Sequence, residues 1–127
     1  MISLTDILLL HEFSIVDYGG AEGIRDEGLL ISAISRPFQT FDGEELYPSP
    51  LEKAAALLES LIVNHPFVDG NKRVGMLSMV ALLAENGMEI TADGENLYQF
   101  IISVSTGSLD YKQILAWLRV NTLDVAT

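Results

Sequence analysis

Apolar residues recur along most of this chain at helical spacing. Leu4, Ile7, Leu8, His11 and Ile15 fall on one stripe, which predicts a first helix over residues 4–18, capped by Ser3 or Thr5. Three glycines within Gly19 to Gly23 end it in a turn-rich loop. Asp26 then caps a short helix carrying Leu29, Leu30, Ala33 and Ile34, and Arg36-Pro37 stops it. Ser49-Pro50 is a cap followed by proline at the first helical position. The helix it opens runs to about Asn64, with Leu51, Ala54, Leu57, Leu58, Leu61 and Ile62 spread round most of its circumference. A second apolar helix runs from Asn71 or Lys72 to Asn86 and stops at Gly87. These two form a hairpin of buried helices at the centre of the architecture. Met88 to Ile90 is a short extended link. Further helices follow over 94–106, capped by Asp93, and after Asp110, and the tail from Asn121 onward is expected to fray. The pattern predicts an all-α fold of about six helices.

Residues 38–49 do not fit that period. Asp42-Gly43 between Phe41 and Leu46 is a hairpin signal with short strands, and the same stretch also fits an ordinary loop that covers the core with Phe38 and Phe41. His11 lies on the apolar stripe of its helix and reads as a packed, hydrogen-bonded residue rather than a catalyst. Trp117 reads as core.

The chemistry concentrates at the bend of the central hairpin, in His65-Pro66-Phe67-Val68-Asp69-Gly70-Asn71-Lys72-Arg73. The second helix begins there, so its unpaired N–H groups would face the loop and favour an anion. Gly70 allows close approach or a positive φ. Lys72 and Arg73 add positive charge beside those N–H groups. Asp69 suits a hard cation such as Mg²⁺. His65 brings an imidazole, the side chain best suited to take a proton near neutral pH. Base, metal carboxylate and phosphate cradle are the parts that phosphate chemistry requires. The same residues also fit a solvated first helical turn and a histidine that caps the preceding helix, and composition does not separate the two readings. Phe67 is expected to drop into the core and anchor the loop.

Composition narrows the classes. With 127 residues, about half of them hydrophobic, residues 1–127 read as one domain. The chain has no cysteine, which excludes disulfides, thiolate metal sites and cysteine nucleophiles and suits a reducing cytoplasm. Its histidines are His11 and His65, too few for a multi-histidine zinc site. A net charge of −11 argues against direct nucleic-acid binding and suits a basic partner, while two of only seven Lys and Arg residues stand side by side at Lys72 and Arg73. No apolar run reaches membrane-spanning length and the N-terminus lacks a signal-peptide pattern, so a soluble cytoplasmic protein is expected.

The nine-residue stretch resembles the signature of the Fic/Doc family, H-x-F-x-[DEN]-[AG]-N-[GK]-R, with all its fixed positions filled. Tyr18-Gly19-Gly20, the chain length, and Thr106-Gly107 followed by a helix with Ile114 and Trp117-Leu118 resemble the small Doc (death-on-curing) branch. Fic proteins that transfer AMP usually have a second glycine where this chain has Lys72, and an arginine where it has Met76. Doc-type proteins carry the lysine and lack the arginine. Without the second glycine and the later arginine the nucleotide would sit differently, so that its terminal phosphate meets the acceptor.

The resemblance therefore implies a Doc toxin acting as a bacterial cytoplasmic kinase. It would transfer the terminal phosphate of ATP, with Mg²⁺ at Asp69, to a threonine of elongation factor Tu, and so block translation. His65 would be the base. Gly70, Asn71, Lys72 and Arg73 would hold phosphates, with Lys72 and Arg73 stabilising the transition state. The 38–49 region would be a flap beside the site that aligns the protein substrate by strand addition. Thr91 to Asn96 matches the loose pattern of an inhibitory glutamate found in some Fic proteins. It reads as chance here, because Asp93 serves as a helix cap and Met76 replaces the partner arginine. Without an internal inhibitor, a Phd-type antitoxin would cover the site. The alternatives are a Fic-type AMP transferase and a non-catalytic partner-binding module.

Overall fold

The computed structural model describes residues 2–125. Six α-helices appear among them: α1 (Leu4–Tyr18), α2 (Glu27–Ser35), α3 (Pro50–Asn64), α4 (Asn71–Glu85), α5 (Gly94–Ser105) and α6 (Tyr111–Val120). The all-α architecture expected from the apolar period is therefore present, central hairpin included.

Local side chains start most of the helices. Ser3 accepts from the N–H of Asp6 and the Asp6 carboxylate accepts from the N–H of Ser3, closing a capping box on α1. Asp26, Ser49 and Asp93 cap α2, α3 and α5, and Asp110 with Gln113 forms a second capping box on α6. Each such cap satisfies an N–H group that has no partner within the helix.

α3 is the axis of the fold. Its buried residues, Ala54 to Leu58 and Ser60 to Ile62, face all round the helix. α4, α2, α6, α5 and the 3-10 turn Arg36–Phe38 pack against it. Leu57, Leu58, Leu61, Phe67, Val74, Met79, Leu83, Ile114 and Leu118 are fully buried in the shared core. Phe100 and Trp117 stack at 3.8 Å between ring centres and join α5 to α6. α4 is less enclosed than its apolar sequence suggests. Val80 and Ala84 are exposed, and Met76 and Leu77 are half-buried where they line a cleft.

The hairpin signal at Asp42-Gly43 is realised. β1 (Thr40–Phe41) pairs antiparallel with β2 (Glu44–Glu45). Asp42 and Gly43 both have positive φ, at 53° and 80°, as the favoured two-residue turn requires. Lys53 bonds Glu45 at 2.9 Å and the Tyr47 carbonyl, and Arg36 bonds the Tyr47 hydroxyl at 3.0 Å and Glu59 at 2.8 Å. These bonds tie the foot of the flap to α3 directly through Lys53 and, by way of Arg36, through Glu59. No flap residue is among those that line the cleft around His65.

The tail does not fray at Asn121 as expected. Thr122–Asp124 forms β4 and pairs antiparallel with Met88–Ile90, β3, in the register Met88↔Asp124 and Ile90↔Thr122. Val125 N–H adds a bond to Gly87 O at 2.7 Å. An isolated extended link leaves backbone groups unpaired, and a strand from the far end of the chain satisfies them. No helix among the described residues is long and apolar enough to cross a membrane.

Candidate active site

The loop between α3 and α4 has no regular structure of its own, and side chains hold it. Phe67 is 1% exposed and stacks on the His11 ring at 3.8 Å and 9°. Asn71 is buried. Its amide donates to Phe67 O at 3.0 Å and accepts from Phe67 N–H at 2.9 Å, so it braces the loop from inside. His11 lies near Asp69 O, 2.8 Å from Nε2. A carbonyl only accepts, so this bond puts the ring proton on Nε2. The reading of His11 as a packed, hydrogen-bonded residue holds, and its bond reaches directly to the motif.

A second segment supports the loop from outside. Ile24 pairs with Phe67, Val68 N–H donates to Gly23 O at 3.0 Å, and the N–H groups of Arg25 and Asp26 both donate to Pro66 O, at 2.7 and 3.0 Å. The Arg25 side chain bonds His65 O and Asn64 O. No hydrophobic period or motif marked Arg25. Its role comes from contacts across some forty residues of sequence.

His65 occupies the C-cap of α3 with φ 51° and ψ 54°. The left-handed region costs a non-glycine residue on the order of 1–2 kcal/mol. His65 thus both caps α3 and lines the cleft. Its imidazole is exposed, lines the cleft and has no hydrogen-bond partner among the described residues.

Gly70 is the N-cap of α4 at φ 77° and supplies no side-chain cap. A Cβ there would meet Ile15 Cδ1 at 3.4 Å and His11 Nε2 at 3.6 Å, in a backbone conformation that side chains rarely adopt. The first N–H groups of α4, those of Asn71, Lys72 and Arg73, are left without intrahelical partners, and the helix dipole adds partial positive charge. Lys72 is exposed and lines the cleft. Arg73 is partly committed elsewhere. Its Nη1 donates to Ser14 O and Gly19 O, both at 3.2 Å, and its guanidinium lies 4.9 Å from the Tyr18 ring centre. It anchors the end of α1 and still lines the cleft with its remaining N–H groups.

Asp69 carries an exposed carboxylate. Oδ2 accepts from Ala21 N–H at 3.1 Å and Oδ1 from Gly70 N–H at 2.8 Å. The Ala21 bond, then the Gly70 bond, and next Arg73 and His11 hold its pKa below the usual 3.8. A Cβ at Gly20, where φ is 121°, would lie 2.7 Å from Oδ2, so the glycine loop admits the carboxylate only as glycine. The glycine loop thus serves to hold the Asp69 carboxylate. Each carboxylate oxygen keeps a second lone pair. No group of three or more His, Cys, Asp and Glu able to hold a metal occurs among the described residues. A lone carboxylate fits Mg²⁺, which keeps waters and takes the rest of its ligands from substrate phosphates.

The Asp69 shift has a consequence for stability. The folded pKa lies below the unfolded one, so the carboxylate stabilises the protein above about pH 3.8 and this is lost as pH falls through the folded value. Asp69→Asn is expected to be less stable than wild type at neutral pH, with the gap closing well below pH 3.8. Urea midpoints at both pH values measure it, and a gap independent of pH contradicts the assignment.

The cleft has a volume of about 740 Å³, within the range of small-ligand sites. His65 and the motif form its polar end. Ile62, Met76 and Leu77 form one apolar wall, and Leu97, Tyr98 and Ile101 of α5 the other. Glu95 of the loose inhibitory pattern does not line it, accepts from Gln99 at 3.2 Å, and follows the capping Asp93.

The histidine-bearing motif lies at the bend of the central helical hairpin, and residues 1–83 match the Fic/DOC family model. The chain belongs to the Fic/DOC family. Within it, the chain falls in the Doc branch. It is 45% identical over 78 residues to Toxin Doc of Mycolicibacterium smegmatis (strain ATCC 700084 / mc(2)155), a match covering 61% of this chain and 60% of that relative. It is 29% identical over 118 residues to Protein kinase doc of Escherichia phage P1, covering 93% of this chain and 92% of the relative.

Proposed function

We propose that this protein is a Doc-type toxin and a phosphotransferase that moves the terminal phosphate of ATP onto a threonine of a translation factor resembling elongation factor Tu. The observation that carries this reading is the pairing of groups across one cleft. His65, whose exposed imidazole has no hydrogen-bond partner among the described residues, lines the same cleft as Lys72 and the helix N-terminus that Gly70 leaves without a side-chain cap. The names of the two relatives support the toxin and the kinase.

In this reading the phosphates lie against the N–H groups of Asn71 to Arg73. The Asn71 side chain, bonded to both main-chain groups of Phe67, holds the loop that presents these N–H groups. Lys72 and the free N–H groups of Arg73 meet the charge that builds on the transferring phosphoryl group. Asp69 would hold Mg²⁺, which neutralises phosphate charge when bound. The threonine oxygen forms a bond to the γ-phosphorus, the bond from that phosphorus to the ADP oxygen breaks, and ADP leaves. His65 takes the hydroxyl proton. The flap would guide the substrate segment to the site, its exposed strands offering an edge for pairing. A Phd-type antitoxin would cover the cleft and keep the toxin silent.

Intact mass of elongation factor Tu after incubation with the protein, ATP and Mg²⁺ tests this. A phosphate-sized gain is expected. An AMP-sized gain would replace the reading with AMP transfer. No gain on this factor or on any protein of a lysate labelled at the α- and γ-phosphates would overturn the enzyme and leave a partner-binding module.

A further inference from the structure

His65 stands at a backbone conformation that a residue with a Cβ leaves when nothing holds it. The last carbonyls of a helix have no partner inside the helix. Here Arg25 supplies one. Its Nε donates to His65 O at 2.6 Å and its Nη2 to Asn64 O at 2.8 Å. Its backbone N–H donates to Pro66 O at 2.7 Å. One residue therefore holds three consecutive carbonyls, with the His65 side chain between the outer two. The planar guanidinium fixes two of them at a set spacing, which a flexible ammonium does not. The bonds are charge-assisted.

Arg25 does not line the cleft, so it is not placed to touch a nucleotide. It is also absent from the ion pairs seen among the described residues, which engage Arg36 and Lys53. Arg25 is exposed, and its guanidinium is nonetheless committed to two consecutive main-chain carbonyls at the end of α3. The segment that carries it is itself fastened. Asp26 caps α2 and donates to Pro66 O, and Asn64 Nδ2 returns to Leu29 O at 3.1 Å.

We infer that Arg25 is the positioning residue of His65: it clamps the end of α3 and thereby sets the direction in which the imidazole enters the cleft. The inference deepens the proposed function and rests on His65 being the base.

The test uses Arg25→Ala and Arg25→Lys in the whole chain. With the nucleotide site at α4 untouched, Arg25→Ala is expected to lower kcat roughly 100-fold while KM for ATP stays within about twofold. Arg25→Lys, with a single point donor, should fall between. Free guanidinium ion should restore part of the rate to Arg25→Ala and none to His65→Ala. A second readout needs no turnover. The chain has two histidines, so their imidazole NMR signals are assigned by His65→Ala. Arg25→Ala should shift and broaden the His65 signal and leave that of His11, which Asp69 O holds. If the wild type transfers no phosphate, the functional reading fails while the NMR comparison still decides the clamp. Unchanged His65 signals, unchanged kcat, or a loss confined to KM would overturn it. Should Arg25→Ala fail to fold, the same comparison is made on Arg25→Lys, where wild-type kcat and signals overturn the clamp.

Discussion

His65→Ala is expected to abolish phosphate transfer and leave the unfolding transition where it was. The first half follows from the chemistry asked of the imidazole. A positioned base contributes roughly 100- to 10,000-fold to such a transfer, and the cleft lining includes no second histidine to take its place. The second half follows from the packing. The ring is exposed and unbonded among the described residues, so its removal opens no cavity and orphans no polar group. Alanine retains the strain of φ 51°, and the bonds that hold the backbone come from Arg25 to the carbonyl and survive the change. Transfer of label from γ-labelled ATP, paired with thermal unfolding by circular dichroism, checks both halves. Wild-type transfer would remove His65 as the base. Lost transfer with a lowered transition would mean that the residue acts by holding the fold.

Phe67→Ala is expected to do the reverse, with stability lost first and activity lost as a result. The ring is 1% exposed, stacks on His11, and its own N–H and carbonyl are both taken by the Asn71 side chain. Truncating a buried phenylalanine costs about 3–5 kcal/mol through lost burial and the cavity left behind, a large part of the 5–15 kcal/mol typical of a small domain. The loss falls at the point where α1, the 23–26 segment and the motif loop meet. Urea unfolding measures the stability. Adding Phe67→Leu separates volume from shape, and leucine should recover part of the loss. A change below about 1 kcal/mol would mean that the ring does not anchor the loop.

The flap shows how far local signals reach. Asp42-Gly43 specified its turn, and the turn formed. Where the hairpin lies was a different question, decided by long-range bonds from Lys53 on α3 to Glu45 and from Arg36 in the 3-10 turn to Tyr47, which no local pattern in residues 38–49 announces. The tail shows the same limit. Thr122 to Asp124 carries no strand pattern long enough to read alone, and its partner lies over thirty residues earlier. α4 shows the limit for burial. Its apolar residues run nearly all round, yet one face was left as a cleft wall once α5 packed beside it.

The sequence by itself determined the helices, their caps, and the motif with its family. Those are local matters: a period of 3.6, a side chain bonding an N–H three residues on, nine adjacent residues at one bend. Only the tertiary structure decided which motif residues face the cleft and which hold the loop. Asn71 turned inward to Phe67, Asp69 was tied to Ala21, and half of Arg73 was spent on the end of α1. His65 and Lys72 line the cleft with no such side-chain bond among the described residues. The reason is physical. A loop without regular structure leaves its backbone groups unpaired, and buried groups of that kind must be satisfied. Their partners, Arg25 and His11 among them, lie where the fold brings them, not where the chain places them in order.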